Sequence, residues 1–224
     1  MKLVHPNLSG QIIFTENIVN VITIENRKYF TKIIHEFILQ VEGEEGEFIL
    51  SDKNRELEIA KTFSITVNPF DLQVNSRKNL NKIYTEIKDI SQNEFNYLET
   101  AKLKAEILNY LDDLFLNYEI PLTYNDEFDI TSLFKTTELK IDDEFSSLLE
   151  KIIYFIEVSQ QLNATEYFAF INLKQFLSYN EIAELYKIMQ YHKFHILLFE
   201  STYTEPLHLC EKHYVIDTDL CEIF

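Results

Sequence analysis

The N-terminal third of the chain alternates apolar and polar residues in short runs that are typical of β-strands. Such runs occupy residues 11–16, 19–25, 47–51 and 63–68. The first two flank a short turn at Asn17, which favours a β-hairpin. Between the second and third runs, Asn26 is a good helix cap. The apolar residues that follow it at helical spacing are Phe30, Ile33, Ile34, Phe37, Ile38 and Val41. This block therefore predicts strands with one amphipathic helix.

The middle of the chain has a different pattern, with apolar residues at helical spacing through 75–118. This stretch contains neither Gly nor Pro. A break is expected near 91–94, where polar residues cluster, and Pro121 ends the segment. The pattern predicts a helical arm.

The last third returns to mixed structure. Apolar strand patterns at 167–173, 195–200 and 213–217 alternate with the helix patterns 145–162 and 179–190. Strand–helix–strand order favours a parallel sheet. We therefore expect an α/β protein with a head domain, built from 1–69 and 141–224 around a mainly parallel sheet. A helical leg, 70–140, is inserted in the middle of the chain.

Composition narrows the possible classes of function. The formal net charge is -17, which by itself disfavours binding to a polyanion such as DNA. The N-terminus lacks the apolar region of a signal peptide, and no apolar run approaches the roughly 20 residues that cross a bilayer. The two cysteines form no C-x-x-C motif. A soluble cytoplasmic protein that makes no contact with membranes is expected.

Enzymatic motifs are sparse. The three glycines, at 10, 43 and 46, cannot supply the phosphate-binding loop of a P-loop nucleotidase. Asn172 and Leu173 end the strand pattern at which such enzymes place a metal-binding Asp. A metal-dependent nuclease that uses Asp126, Glu138 and Lys140 is the alternative function, since these residues can be fitted to a two-carboxylate-and-lysine pattern.

Two candidate metal sites differ in their donor atoms. The soft ligands His208, Cys210, His213 and Cys221 match no standard zinc spacing. The acidic segment around Pro121 carries the hard oxygen ligands Glu119, Asp126, Glu127 and Asp129. Oxygen-rich loops suit Ca²⁺, although a solvated acidic turn has the same composition.

Basic residues are few and unevenly placed. Several occur near strand ends or at the starts of helices, where they would form a phosphate-binding stripe if folding gathered them on one face. The candidates for DNA contacts are Arg27, Lys28, Lys53, Arg55, Arg77, Lys78, Lys135, Lys140 and Lys151.

The order of the segments, more than any single motif, resembles a known family. The matching segments are 63–76, the acidic return 122–131, 170–173, 176–182, 195–201 and 214–219. Together with the N-terminal strands and the long helical arm, they resemble the type II-A CRISPR adaptation proteins of the Csn2 family across essentially the whole chain.

This resemblance implies a homotetrameric ring that binds double-stranded DNA, preferentially through its ends, and depends on calcium. It also implies a relict P-loop-nucleotidase-like core without catalytic activity and a role in spacer acquisition. Partners would be the CRISPR integrase complex and the RNA-guided effector nuclease. The acidic return would bind calcium. Lys53, Arg55, Lys135, Lys140 and Lys151 would line the DNA channel. A protein-binding scaffold without DNA is the third hypothesis.

Overall fold

A computed structural model describes residues 1–53, 55–116, 118–205 and 208–223. The strands are β1 Lys2–Val4, β2 Ile12–Ile13, β3 Val19–Ile24, β4 Ile49–Asp52, β5 Arg55–Leu57, β6 Phe63–Thr66, β7 Tyr167–Ile171, β8 His195–Glu200, β9 Glu211–Ile216 and β10 Glu222–Ile223. The α-helices are α1 Arg27–Val41, α2 Ile59–Thr62, α3 Arg77–Ser91, α4 Tyr97–Phe115, α5 Thr131–Thr136, α6 Leu148–Asn163 and α7 Tyr179–His192.

The chain forms two compact units. The first, the head, comprises Met1–Gln73 and Glu144–Phe224, and the second, the leg, comprises Val74–Asp143. The sequence predicts the leg at 70–140, and in the structure this unit is Val74–Asp143.

The head contains a six-stranded sheet in the order β10-β9-β3-β8-β7-β6. Every pairing in it is parallel except that of β10 with β9. All six residues of β3 are buried, as expected for a central strand that is covered on both faces. The predicted α/β class with a mainly parallel sheet is therefore confirmed.

Two hydrophobic clusters cover the faces of this sheet. Phe37 of α1 packs on one face against Phe48, Phe63 and Phe199, with ring centroids 5.0–5.3 Å apart. The other face packs against α6 and α7 through residues such as Ile156 and Leu185. Both helices begin at serine caps, Ser147 and Ser178, which accept hydrogen bonds from backbone N–H groups of the first turn.

The predicted hairpin of the first two strands is wrong. β2 pairs with β1 in a second, four-stranded sheet of order β2-β1-β4-β5, whereas β3 lies in the centre of the six-stranded sheet. The alternating pattern correctly marks both segments as extended. It does not specify which strand each one pairs with, because pairing depends on distant partners.

The leg is helical, and its long segment is broken as expected. α3 ends at Ser91 and α4 begins at Tyr97. Between them, the Asn93 side chain accepts hydrogen bonds from the N–H groups of Phe95 and Asn96 and so stabilises a turn. No helix in the described ranges is long and apolar enough to span a membrane.

Candidate nucleic-acid and cation-binding residues

Two pairs of candidate DNA-binding residues begin helices. Arg27 and Lys28 are the first two residues of α1 in the head, and Arg77 and Lys78 are the first two of α3 in the leg. All four are exposed, and neither helix has an acidic residue in its first turn. Cations are usually disfavoured at this end because the helix dipole is positive there. The same dipole and the free N–H groups of the first turn attract phosphate.

The pair Lys53 and Arg55 lies where β4 leads into β5. Both side chains are exposed, and the backbone of Lys53 adopts a left-handed conformation with φ of 44°. This hairpin belongs to the four-stranded sheet of the head. The hairpin therefore carries two exposed cations close together in the chain.

The remaining three candidates differ in whether their ammonium groups are free to contact phosphate. Lys135 is exposed on α5, and no ion pair involves it among the described residues. Lys140 instead pairs with Asp143 at 3.3 Å. The Lys151 ammonium donates to the backbone carbonyl of Phe70 within the head. Thus seven of the nine candidates have no carboxylate partner or hydrogen-bond acceptor in the part of the chain that the structure describes.

The four predicted calcium ligands all lie in the leg and are exposed. Asp129 is engaged already: its Oδ2 is 2.5 Å from the Lys88 ammonium and its Oδ1 accepts from the Thr131 N–H. These two contacts lower the pKa of the Asp129 carboxyl to about 2, chiefly through the hydrogen bond from Lys88. The oxygen donors suit Ca²⁺, but no three of the four predicted ligands converge in the described chain.

One group of potential metal ligands does converge within the described ranges, and it was missed from the sequence. It consists of His5 before α1, Glu36 in α1 and Glu47 before β4, with ligand atoms within 4.8 Å of one another. The His5 side chain is fully buried, and its Nε2 lies 3.2 Å from Glu36 Oε1 and 3.8 Å from Glu47 Oε2.

Hydrogen bonds account for this group without a metal. The N–H of Asn7 donates to His5 Nδ1 at 3.2 Å, so the proton of a neutral ring is on Nε2 and points towards the carboxylates. A metal at Nε2 would require a proton on Nδ1, where the Asn7 N–H already points. The group thus links three segments of the head as a structural hydrogen-bond network.

A second buried network was also missed. Lys174 follows β7, and its ammonium lies 2.7 Å from Oε1 of Glu211 in β9. The two side chains are 9% and 0% exposed. The Tyr186 hydroxyl of α7 donates to the same oxygen at 2.6 Å, and His213 Nε2 lies 2.8 Å from Oε2. Burial opposes ionisation, yet these three hydrogen bonds and the lysine charge lower the pKa of Glu211 to about 2.

The same network holds Glu200 at the end of β8. Its carboxylate accepts from the backbone N–H of Lys174 at 3.1 Å, and only 2% of the residue is exposed. Burial raises its pKa to about 7, against the opposing effect of Lys174. A charged residue closing the apolar run 195–200 is the sequence signal that could have marked it.

At the end of β7, where a P-loop enzyme would have a metal-binding Asp, the chain has an Asn that makes a structural hydrogen bond. Asn172 follows β7, and its Oδ1 accepts from the Ser201 N–H at 2.8 Å. The side-chain amide therefore connects the ends of β7 and β8. The soft ligands His208, Cys210, His213 and Cys221 do not form a metal-binding group among the described residues.

A comparison with protein families matches residues 40–220 to the family described as CRISPR-associated protein, Cas_Csn2. This range includes well over half of the chain. The chain belongs to the Cas_Csn2 family. Membership supports a role in CRISPR adaptation.

A similar curated protein supports the assignment to the Cas_Csn2 family. The CRISPR-associated protein Csn2 of Streptococcus agalactiae is 23% identical over 223 residues, which cover 96% of this chain and 97% of the relative. Among solved structures, an ATP-binding cassette of an ABC transporter in its ADP conformation aligns with a TM-score of 0.43 and 13% identity. That alignment covers 87% of this chain and 74% of the transporter chain.

The residues of the alternative nuclease lie in the leg of this Cas_Csn2 protein. Asp126 and Glu138 belong to no group of three metal ligands among the described residues, and Lys140 pairs with Asp143. The backbone of Glu138 is left-handed, with φ of 51°, at the end of α5. No observation on these residues favours the nuclease.

Proposed function

We propose that this Cas_Csn2 protein binds double-stranded DNA without sequence preference, as a homotetrameric ring that takes up DNA ends during spacer acquisition. It performs no catalysis itself. In this role it would serve the CRISPR integrase complex and the RNA-guided effector nuclease. The observation that carries the proposal is the set of seven exposed candidate cations that have no acidic partner among the described residues, in a chain of net charge -17.

An exposed cation without an acidic neighbour is free to bind an external anion, and these seven have none in the part of the chain that the structure describes. Phosphate is the complementary ligand, and phosphate contacts carry no sequence information. The helix starts at Arg27 and Arg77 add backbone N–H donors to the side-chain charges. Local potential, and not net charge, governs such binding.

Exposed apolar side chains of the leg support assembly into an oligomer. They begin in the turn before α4 and continue beyond that helix, and Phe95, Leu98 and Leu116 are 83%, 75% and 78% exposed. Apolar surface on this scale usually marks a protein–protein interface. We propose that it is buried between subunits of the ring.

DNA binding should weaken steeply with salt, and a variant carrying Arg27→Ala and Lys28→Ala should reduce that dependence. Each phosphate contact contributes about -0.9 to the slope of log K against log salt concentration, so the slope should become shallower by about two units. Fluorescence anisotropy with a blunt linear duplex measures this. The matched control, Lys187→Ala with Lys212→Ala, removes two exposed charges of the head outside the candidate set.

Two outcomes would contradict the DNA proposal. One is an affinity that does not change with salt. The other is an equal loss of slope in the control variant. A covalently closed circular duplex tests the ring specifically. Because DNA can enter a closed protein ring only through a free end, the circular duplex should bind more weakly than the linear one.

Calcium is proposed to bind the oxygen donors of Glu119, Asp126, Glu127 and Asp129, which would require Asp129 to exchange Lys88 for the ion. Removing Ca²⁺ with a chelator should weaken DNA binding at least tenfold and lower the solution mass, because carboxylates brought together without a cation repel one another. Light scattering and anisotropy, with and without chelator, measure both effects.

A triple variant separates this site from general charge effects. Glu119→Gln, Asp126→Asn and Glu127→Gln together should remove the response to chelator. The control, Glu42→Gln, Glu44→Gln and Glu45→Gln, neutralises three exposed carboxylates of the head and should retain it. A full-mass tetramer with unchanged DNA affinity in chelator would refute the calcium proposal.

A further inference from the structure

A surface cavity of about 430 Å³ lies in the head at the edge of the six-stranded sheet. Its lining residues come from the end of β3, the loop after β8, and strands β9 and β10. They are Glu25, Tyr203, His213, Val215, Asp217 and Ile223. None of the DNA or calcium candidates lines it.

The floor of the cavity is apolar because of strand register. Val215 and Ile223 are directly paired residues of the antiparallel strands β9 and β10. Paired residues present their side chains on the same face of a sheet. Ile223 remains 57% exposed, so this apolar surface is available to a ligand.

Two carboxylates lie at one end of this floor. Glu25 and Asp217 each come directly after a strand, and the strands β3 and β9 are parallel with Ile24 opposite Ile216. Asp217 Oδ1 accepts from the N–H groups of Asp219 and Cys221. Neither carboxylate has a cationic partner among the described residues, and no Lys or Arg lines the cavity.

Two aromatic rings form part of the cavity wall. The rings of Tyr203 and His213 are 6.1 Å apart and meet edge to face. His213 Nε2 lies 2.8 Å from Glu211 Oε2, and this contact fixes the position of the ring. Because Nδ1 of His213 is buried, a ligand in the cavity would meet the ring and not this nitrogen.

We propose that this cavity binds an arginine side chain of a partner protein. A guanidinium group offers five donors and a permanent positive charge, which suit the two carboxylates. Its flat face stacks on aromatic rings, and its methylene stem packs on apolar surface such as that of Val215 and Ile223. The two carboxylates repel phosphate, so the site is distinct from DNA contacts.

The probes for the test are N-acetyl-arginine methylamide and its citrulline counterpart, which has nearly the same shape without the charge. The full-length protein is labelled at its methyl groups, and the probes are titrated while the signals of Val215 and Ile223 are followed by NMR. The arginine probe should give saturable shifts at these two residues and bind about tenfold more tightly than the citrulline probe. Charge-assisted hydrogen bonds of this kind are worth about that factor or more.

Glu25→Gln should weaken the arginine probe about tenfold, since it removes one of the two charges. The matched control Glu184→Gln, on the exposed face of α7, should leave binding unchanged. Tyr203→Leu, which removes the ring from an exposed loop position, should also weaken binding. It decides the question if Glu25→Gln disturbs the fold.

Three results would overturn the proposal: equal affinity for the two probes, shifts confined to other residues, or equal weakening by Glu184→Gln. A fourth contradicting result would be that CaCl₂ alone shifts the Val215 and Ile223 signals and blocks the arginine probe. The cavity would then be a cation site. None of these results depends on whether DNA binds.

Discussion

Lys174→Met is expected to lower the free energy of unfolding by about 3–5 kcal/mol. The substitution keeps the apolar stem but removes the ammonium 2.7 Å from Glu211, whose side chain is fully buried. A buried carboxylate that loses its counter-charge retains its desolvation cost without the compensating attraction. Urea or guanidinium denaturation, followed by circular dichroism, measures the change.

Two further variants test the reason for this loss. Lys187→Met removes an exposed lysine of α7 and should change stability by no more than about 0.5 kcal/mol. Adding Glu211→Gln to Lys174→Met removes the uncompensated charge and should recover part of the loss. A loss below about 1 kcal/mol in the single variant, or no recovery in the double variant, would contradict a charge-based explanation.

Stability should also fall as pH rises, because of Glu200. Its pKa in the folded protein is about 7, against an ordinary value of 4.5, because burial disfavours the charged form. A raised pKa contributes stability that is complete below pH 4.5 and is lost as pH rises through about 7. The difference between the two pKa values corresponds to about 3 kcal/mol at most.

Glu200→Gln isolates this effect. The amide oxygen can still accept from the Lys174 N–H, but the side chain no longer titrates. Relative to the wild type, the variant should therefore gain stability progressively from pH 5 to pH 8 in denaturation experiments. The Glu211 carboxyl, with its pKa of about 2, loses its contribution only as pH falls from about 4.5 towards 2, outside this window. A constant difference between the two proteins across this range would show that Glu200 does not titrate there.

Several parts of the fold could be predicted from local pattern. The buried strands β7 and β8 are nearly continuous apolar runs, which are typical of parallel sheets covered on both faces. The break between α3 and α4 falls where polar residues interrupt the helical spacing. The incorrect hairpin of β2 and β3 shows the limit of this reasoning, since both segments are strands but belong to different sheets.

Some residues of the candidate sites could likewise be identified from the sequence, and others could not. Exposed cations such as Arg27 and Arg77 could be identified as candidates from their positions at helix starts. The pairing of Asp129 with Lys88 could not, because the two residues come from separate segments of the leg. Cavity-lining residues such as Glu25 and Asp217 also escaped notice, since nothing local to either residue distinguishes it from a solvated acid.

The sequence by itself determined the α/β class, the inserted helical segment, the absence of a phosphate-binding glycine loop and the likeness to Csn2 proteins. These properties follow from residue order and periodicity, which are local. The tertiary structure alone decided which charges are paired, as in Lys174 with Glu211, and which remain available, as with Arg27 and Lys53. The physical reason is that electrostatic energy depends on distance and burial, and both are set by contacts between residues far apart in the chain.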